Sequence, residues 1–287
     1  MSLQELLMMR NELFLTAATV LVLMAEIFMN PAKKQSISTF SIILFALITA
    51  TGFLKVNEGF LFGGMYVSTS ITSLMKNILN VGVLIVMIQS VTWLRKEENR
   101  DRLSEYFILM ISTLTGMSFM ISAGHFLMFY IGLELATIPV AALAAFERYK
   151  NKSAEAGIKL ILISALSSGI LLYGLSMIYG TTGSLYFFEV SKNFQGSSIQ
   201  ILAFIFFFAG MAFKISIVPF HLWTADVYEG SPVNITSYLS VISKGAAIFI
   251  FIIILFTVFH SIFQRTTGAK KQPSVITCDL HICVENS

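Results

Sequence analysis

The chain is short of charge, cysteine and proline, and each shortage excludes something. Asp, Glu, Lys and Arg make up 12% of its 287 residues, about half the share of a soluble globular domain. Together with a mean hydropathy of +0.79 and 56% hydrophobic residues, this leaves almost no soluble mass. Only two cysteines are present, Cys278 and Cys283, both in the last ten residues. They support neither a structural disulfide in the apolar body nor a four-ligand zinc site. No glycine-rich dinucleotide fingerprint and no cysteine quartet occurs, so the chain is expected to bind no cofactor itself. No basic run combines with aromatics on a polar surface, which argues against nucleic-acid binding. Alternating ten-residue segments are also missing, and with them the signature of a membrane barrel.

What is present is a series of long apolar runs. About 20 apolar residues cross the hydrocarbon core as a helix, and eight stretches qualify: 12–29, 37–54, 71–94, 105–122, 125–145, 157–179, 199–222 and 235–259. The fold class expected is all-α, a polytopic transmembrane bundle of about eight helices over residues 1–259, followed by a divergent polar tail over 260–287. The first stretch reads as a retained span rather than a signal peptide, because Glu5, Arg10 and Glu12 precede it and no small-residue cleavage site follows. In the tail, Cys278, His281 and Cys283 offer three metal-ligating side chains, too few for a convincing metal centre. Loops after the odd-numbered stretches hold nine basic residues: Lys33, Lys34, Arg95, Lys96, Arg100, Arg102, Arg148, Lys150 and Lys152. The opposite side, up to the eighth stretch, holds three: Arg10, Lys55 and Lys192. The positive-inside rule places the nine in the cytoplasm and the N-terminus outside.

Against that background three charges stand out. Glu134, Lys214 and Lys244 fall near the middle of separate apolar stretches, where each charge costs about 2.5–3.5 kcal/mol on insertion scales. Glu134 and Lys214 are each followed five residues later by a proline, Pro139 and Pro219. Proline removes the hydrogen bond to the carbonyl four residues back, freeing groups that need water or a neighbouring helix. Charged side chains beside broken helix segments suit a proton relay, to which His221, two residues after Pro219, adds a titratable ring. A buried Glu–Lys pair can also serve packing alone, although such pairs are weak sources of stability. Lys159 lies two or three residues inside the sixth stretch, with Glu155 in the favourable i, i+4 order. Lys76, near the start of the third, is expected to snorkel to the interface. His125 is placed as a helix cap. Asp226 and Glu229 are placed in a loop as candidate proton-gathering acids, and Trp223 and Tyr228 beside them as interfacial anchors.

Three of these segments carry a resemblance. MAFKISIVPFHLWTADVYEGSP (Met211–Pro232), IGLELATIPVAALAAF (Ile131–Phe146) and SAEAGIKLILISALSSGILLYGLSMIYG (Ser153–Gly180) resemble the antiporter-like membrane subunit N, or subunit 2, of NADH:quinone oxidoreductase, respiratory complex I. The resemblance covers roughly residues 100–257. It implies a coupled pair formed by Glu134 and Lys214, with Lys159 and Lys244 continuing a polar axis, and an interruption of the seventh helix near Pro219. It also implies a proton-translocating role in a bacterial inner membrane, beside other membrane subunits of the complex, in contact with the lipid bilayer. NADH, FMN, iron–sulfur clusters and quinone would then belong to partner subunits. Family members have about fourteen helices, with two inverted repeats; this chain matches the first eight, which reads as a C-terminally truncated member. A stand-alone cation/proton antiporter and a non-pumping remnant are the other readings.

Overall fold

A computed structural model describes residues 7–28, 35–54, 58–96, 99 and 102–259. Lys33, Lys34, Lys55, Arg100 and the 260–287 tail with Cys278, His281 and Cys283 lie outside the described residues.

Helix α1 (Arg10–Phe28) and helix α2 (Gln35–Gly52) lead to a small hairpin, β1 (Gly59–Leu61) and β2 (Tyr66–Ser68). The strands pair antiparallel with Gly59 opposite Ser68, Phe60 opposite Val67 and Leu61 opposite Tyr66. Their connection runs through Phe62, Gly63 and Gly64, all at positive φ, a conformation that glycine supplies without the Cβ penalty. Helix α3 (Ser70–Leu94) starts at a reciprocal cap, in which Thr69 and Thr72 each accept from the other's backbone N–H. Helices α4 (Leu103–Ile121), α5 (Phe126–Ala144) and α6 (Asn151–Thr182) follow. A short α7 (Phe187–Asn193) precedes α8 (Ser198–Ile215), α9 (Leu222–Gly230) and α10, which runs Val233–Thr257.

Seven of these helices are long and apolar enough to cross a membrane, among the described residues. The second expected span, α2, is a shorter apolar helix; its 17 residues from Ser36 reach about 26 Å at 1.5 Å per residue. Lipid offers no hydrophobic force between helices, so close backbone approach at small residues does the packing. A Cβ added at Gly132 of α5 would lie 2.6 Å from the Met120 nitrogen of α4, and one at Gly116 of α4 would lie 2.4 Å from the Ala136 nitrogen. Gly174 of α6 and Gly210 of α8 perform the same service for that pair.

Two boundaries differ from the apolar runs, each for a physical reason. Helix α6 begins at Asn151 rather than near 157, because its polar first turns, with Lys152 and Glu155, are helical without being apolar. The seventh stretch does not run to 222. It stops at Ile215, Ser216 turns into the left-handed region at φ 63, and the chain re-enters a helix only at Leu222. The region read as a loop around Asp226 is therefore helix α9. The eighth stretch is helical as expected, but Tyr238–Ser243 widens into a π segment that ends at Lys244.

Candidate functional site

The interruption after Ile215 builds the site. The break is tied locally: the Trp223 indole N–H donates to the freed Phe213 carbonyl at 3.1 Å, and the side chains on either side are joined where Thr224 Oγ1 donates to Ser216 Oγ at 2.7 Å. Broken helices survive at membrane depth where other groups satisfy the freed backbone. Trp223 thus works as a clamp on the break. Helix α9 folds back on α6 so closely that a Cβ at Gly230 would meet the Lys152 carbonyl at 2.4 Å.

Lys214, one residue before the end of α8, turns toward α5 and donates to the Thr137 hydroxyl. Thr137 spends its own proton on the Leu133 carbonyl at 2.5 Å, leaving its lone pairs for the ammonium. Glu134 sits three residues earlier on the same face of α5. No ion pair joins it to Lys214 among the described residues, and Glu134 Oε1 is buried without a hydrogen-bond partner. The structure thus gives Lys214 a hydroxyl of α5 as its partner rather than the Glu134 carboxylate.

Lys214 and Lys244 line one small cavity, together with the hydroxyls of Thr137, Ser164, Ser167 and Ser243 and the Trp223 ring. Its free volume of about 20 Å³ is room for about one water molecule. Lys244 follows directly on the π segment, and its ammonium also lies 5.0 Å from the centre of the Tyr228 ring, a cation–π distance. π segments often mark functional positions; here the extra residue per turn sits immediately before the lysine.

Lys159 is elsewhere. In α6 it lies more than two turns from the start, and pairs with Glu155 at 2.6 Å and Asp226 at 2.7 Å. Lys152 pairs with Glu229 at 2.6 Å. These groups surround a second, open cavity of about 90 Å³. The Lys152 ammonium holds the Glu229 carboxyl below its ordinary range, although both groups are exposed and screened. The acids read as loop residues are thus α9 residues tied to α6. The Leu160 and Ser164 side chains of α6 reach the lysine cavity, so one helix carries both clusters. His221 is exposed at the start of α9 and lines neither cavity; the structure does not bring it to the site. His125 caps α5, its Nδ1 accepting from the Leu127 N–H at 3.0 Å.

Lys76 overturns its expectation. It is 6% exposed and forms an ion pair with Glu12 of α1; the two charges, 64 positions apart, gave no local sign of pairing. Thr137, Ser164 and Ser167 also escaped notice, since single hydroxyls in apolar runs leave no hydropathy signal.

An interrupted helix facing a lysine-bearing helix across a water-sized cavity, within a bundle of this topology, defines an antiporter-like membrane subunit. The chain belongs to the family described as NADH:quinone oxidoreductase/Mrp antiporter, TM, which matches residues 123–267, just over half its length. It is 50% identical over 259 residues to NADH-quinone oxidoreductase subunit N of Phocaeicola vulgatus, covering 90% of this chain and 55% of that one. A chain of respiratory complex I from Thermus thermophilus, solved with bound aureothin, superposes with a TM-score of 0.69 at 26% identity, over 86% of this chain and 53% of that chain. A chain of the Mrp complex from Dietzia sp. DQ12-45-1b shares the fold, with a TM-score of 0.76 at 20% identity, over 91% and 50%. This chain spans about half the length of these relatives.

Proposed function

We propose that the chain serves as a proton-translocating membrane subunit of NADH:quinone oxidoreductase, in which Glu134, Lys214 and Lys244 pass charge through the membrane. The observation that carries this is the shared cavity: Lys214, at the end of the interrupted α8, and Lys244, directly after the π segment of α10, meet one water-sized space lined by hydroxyls. A single water there links the two ammonium groups, and a proton gained by one is felt electrostatically by the other. Glu134, with an unpartnered buried oxygen, supplies the third station behind Thr137. Lys159, with Glu155 and Asp226, holds protons at the α6–α9 end, where the wider cavity admits solvent.

The residues would work in a bacterial inner membrane, with the N-terminus outside and the basic loops in the cytoplasm. Other membrane subunits of complex I are the partners, and NADH, FMN, iron–sulfur clusters and quinone are handled by subunits beyond this one. The same cavity would serve a free-standing cation/proton antiporter, so the partner decides between them. Affinity purification of the tagged chain from its native membrane should bring down NADH-oxidising, quinone-reducing activity. Purification alone, with cation/proton exchange after reconstitution, would overturn the complex I assignment.

A further inference from the structure

The family match begins at residue 123, and a second buried charge cluster lies before it. Glu12 of α1 is 1% exposed, Lys76 of α3 6%, and Tyr66 of β2 is fully buried. The Lys76 ammonium contacts Glu12 Oε1 and donates to the Tyr66 hydroxyl at 2.9 Å, and that hydroxyl donates to Glu12 Oε2 at 3.1 Å. Every polar atom of the triad thus faces another member. Beside it, Lys76, Asn77, Asn11 and Arg10 line a cavity of about 20 Å³ at the end of the bundle where α1 begins and α2 finishes, again room for one water.

The polar path also runs inward. Asn80, one turn below Lys76, donates to Asn11 Oδ1 at 2.9 Å, and Asn11 donates to Ser118 of α4 at 3.1 Å. The Asn80 oxygen is buried with no partner, the mark of a site that takes water. One residue from Ser118, Met117 touches the Tyr238 hydroxyl, which also meets Thr113. Tyr238 opens the π segment that ends at Lys244. A pair kept for packing alone would require neither the adjoining cavity nor the ladder of amides and hydroxyls.

We propose that Glu12, Lys76 and Tyr66 form a second proton-exchange site, open to the face of the membrane that holds the N-terminus of α1. Its ligand is a hydrated proton, and the Asn80–Asn11–Ser118 ladder carries hydrogen bonds from beside it to α4. The inference deepens the proton-translocating reading of the chain, but its test reads protonation of Glu12 and not pumping, so either can fail without the other.

The experiment is infrared difference spectroscopy of the reconstituted chain while the pH of each aqueous phase is changed separately. A carboxyl band that responds to the α1 N-terminal face only, and is lost in Glu12→Gln, is the expected result. Lys76→Met, which removes the cation, should shift the titration of that band by at least tenfold in proton concentration; Lys76→Arg should restore it. A Glu12 band that ignores the pH of that face overturns the proposal. Should Lys76→Met fail to insert, Asn77→Cys in a Cys278→Ser/Cys283→Ser chain decides instead. Modification by a small impermeant thiol reagent from the α1 N-terminal face supports the site, and protection of that cysteine refutes it.

Discussion

Thr137→Val removes one oxygen and keeps the shape, so it isolates the hydrogen bond by which Lys214 of α8 is held to α5. In the structure the Thr137 proton is committed to the Leu133 carbonyl, and its lone pairs receive the Lys214 ammonium. Interhelical hydrogen bonds between neutral groups in membranes average about 0.6 kcal/mol. A bond from a charged donor contributes about 1.5–3 kcal/mol, and the ammonium has Thr137 as its hydrogen-bonding side chain among the described residues. We therefore expect a loss of about 1.5–3 kcal/mol, a shift of roughly ten- to 150-fold in the unfolding equilibrium. The assay is a double-mutant cycle with Lys214→Met, read by reversible unfolding of the bilayer-reconstituted chain. Once Lys214 is Met, Thr137→Val should cost little, and the coupling should match the single-variant loss. Additivity within about 0.5 kcal/mol would show that the two side chains do not hold each other.

Other expectations follow from single contacts. Gly132→Ala should destabilise by about 1–3 kcal/mol, since its Cβ would press on the α4 backbone. Gly169→Ala, where nothing lies within 4 Å, should be neutral or gain about 0.5–1 kcal/mol in helix propensity; equal unfolding midpoints would refute the close crossing. The Lys152–Glu229 tie depresses the Glu229 pKa, so its contribution is present above the unfolded value of 4.5 and fades as pH falls through the lower folded value. In a Trp93→Phe background, quenching of Trp223 should rise across that window and the step should vanish in Glu229→Gln; an unchanged step would refute the link. In a cysteine-free chain, impermeant reagents applied to intact cells should label Gln195→Cys and miss Tyr149→Cys, and the reverse pattern would invert the orientation.

The apolar runs revealed the helices because a span must be apolar for about 20 residues whatever it packs against. The central charges were equally visible: Glu134, Lys214 and Lys244 stand in runs that should hold none. What the runs hid depends on partners distant in sequence. Glu12 and Lys76 read as a flanking residue and a snorkelling lysine, and only the fold, which brings side chains of α1, α3 and the Tyr66 hairpin together, makes them a pair. Pro219 announced a break, but not that Trp223 would bind the freed Phe213 carbonyl or that α9 would be helical, since nine mixed residues carry no span signal. Lys159 was placed near a helix end because hydropathy cannot see the polar turns from Asn151. His221 drew attention through its chemistry and its nearness to Pro219, and the geometry leaves it outside both cavities.

The central claim is that the buried charges move protons rather than merely pack helices. It is tested most directly by Glu134→Gln and Lys214→Ala at the corresponding positions of a full-length relative, such as the Phocaeicola vulgatus subunit N, in its purified complex reconstituted in liposomes. Glu134→Gln keeps the shape of the side chain, whereas Lys214→Ala also removes buried volume and the Thr137 contact, so subunit content is quantified alongside proton uptake. Normal assembly with impaired pumping per NADH oxidised is expected in both variants. Normal pumping by a fully assembled Glu134→Gln complex would make the buried carboxylate a packing element and contradict it.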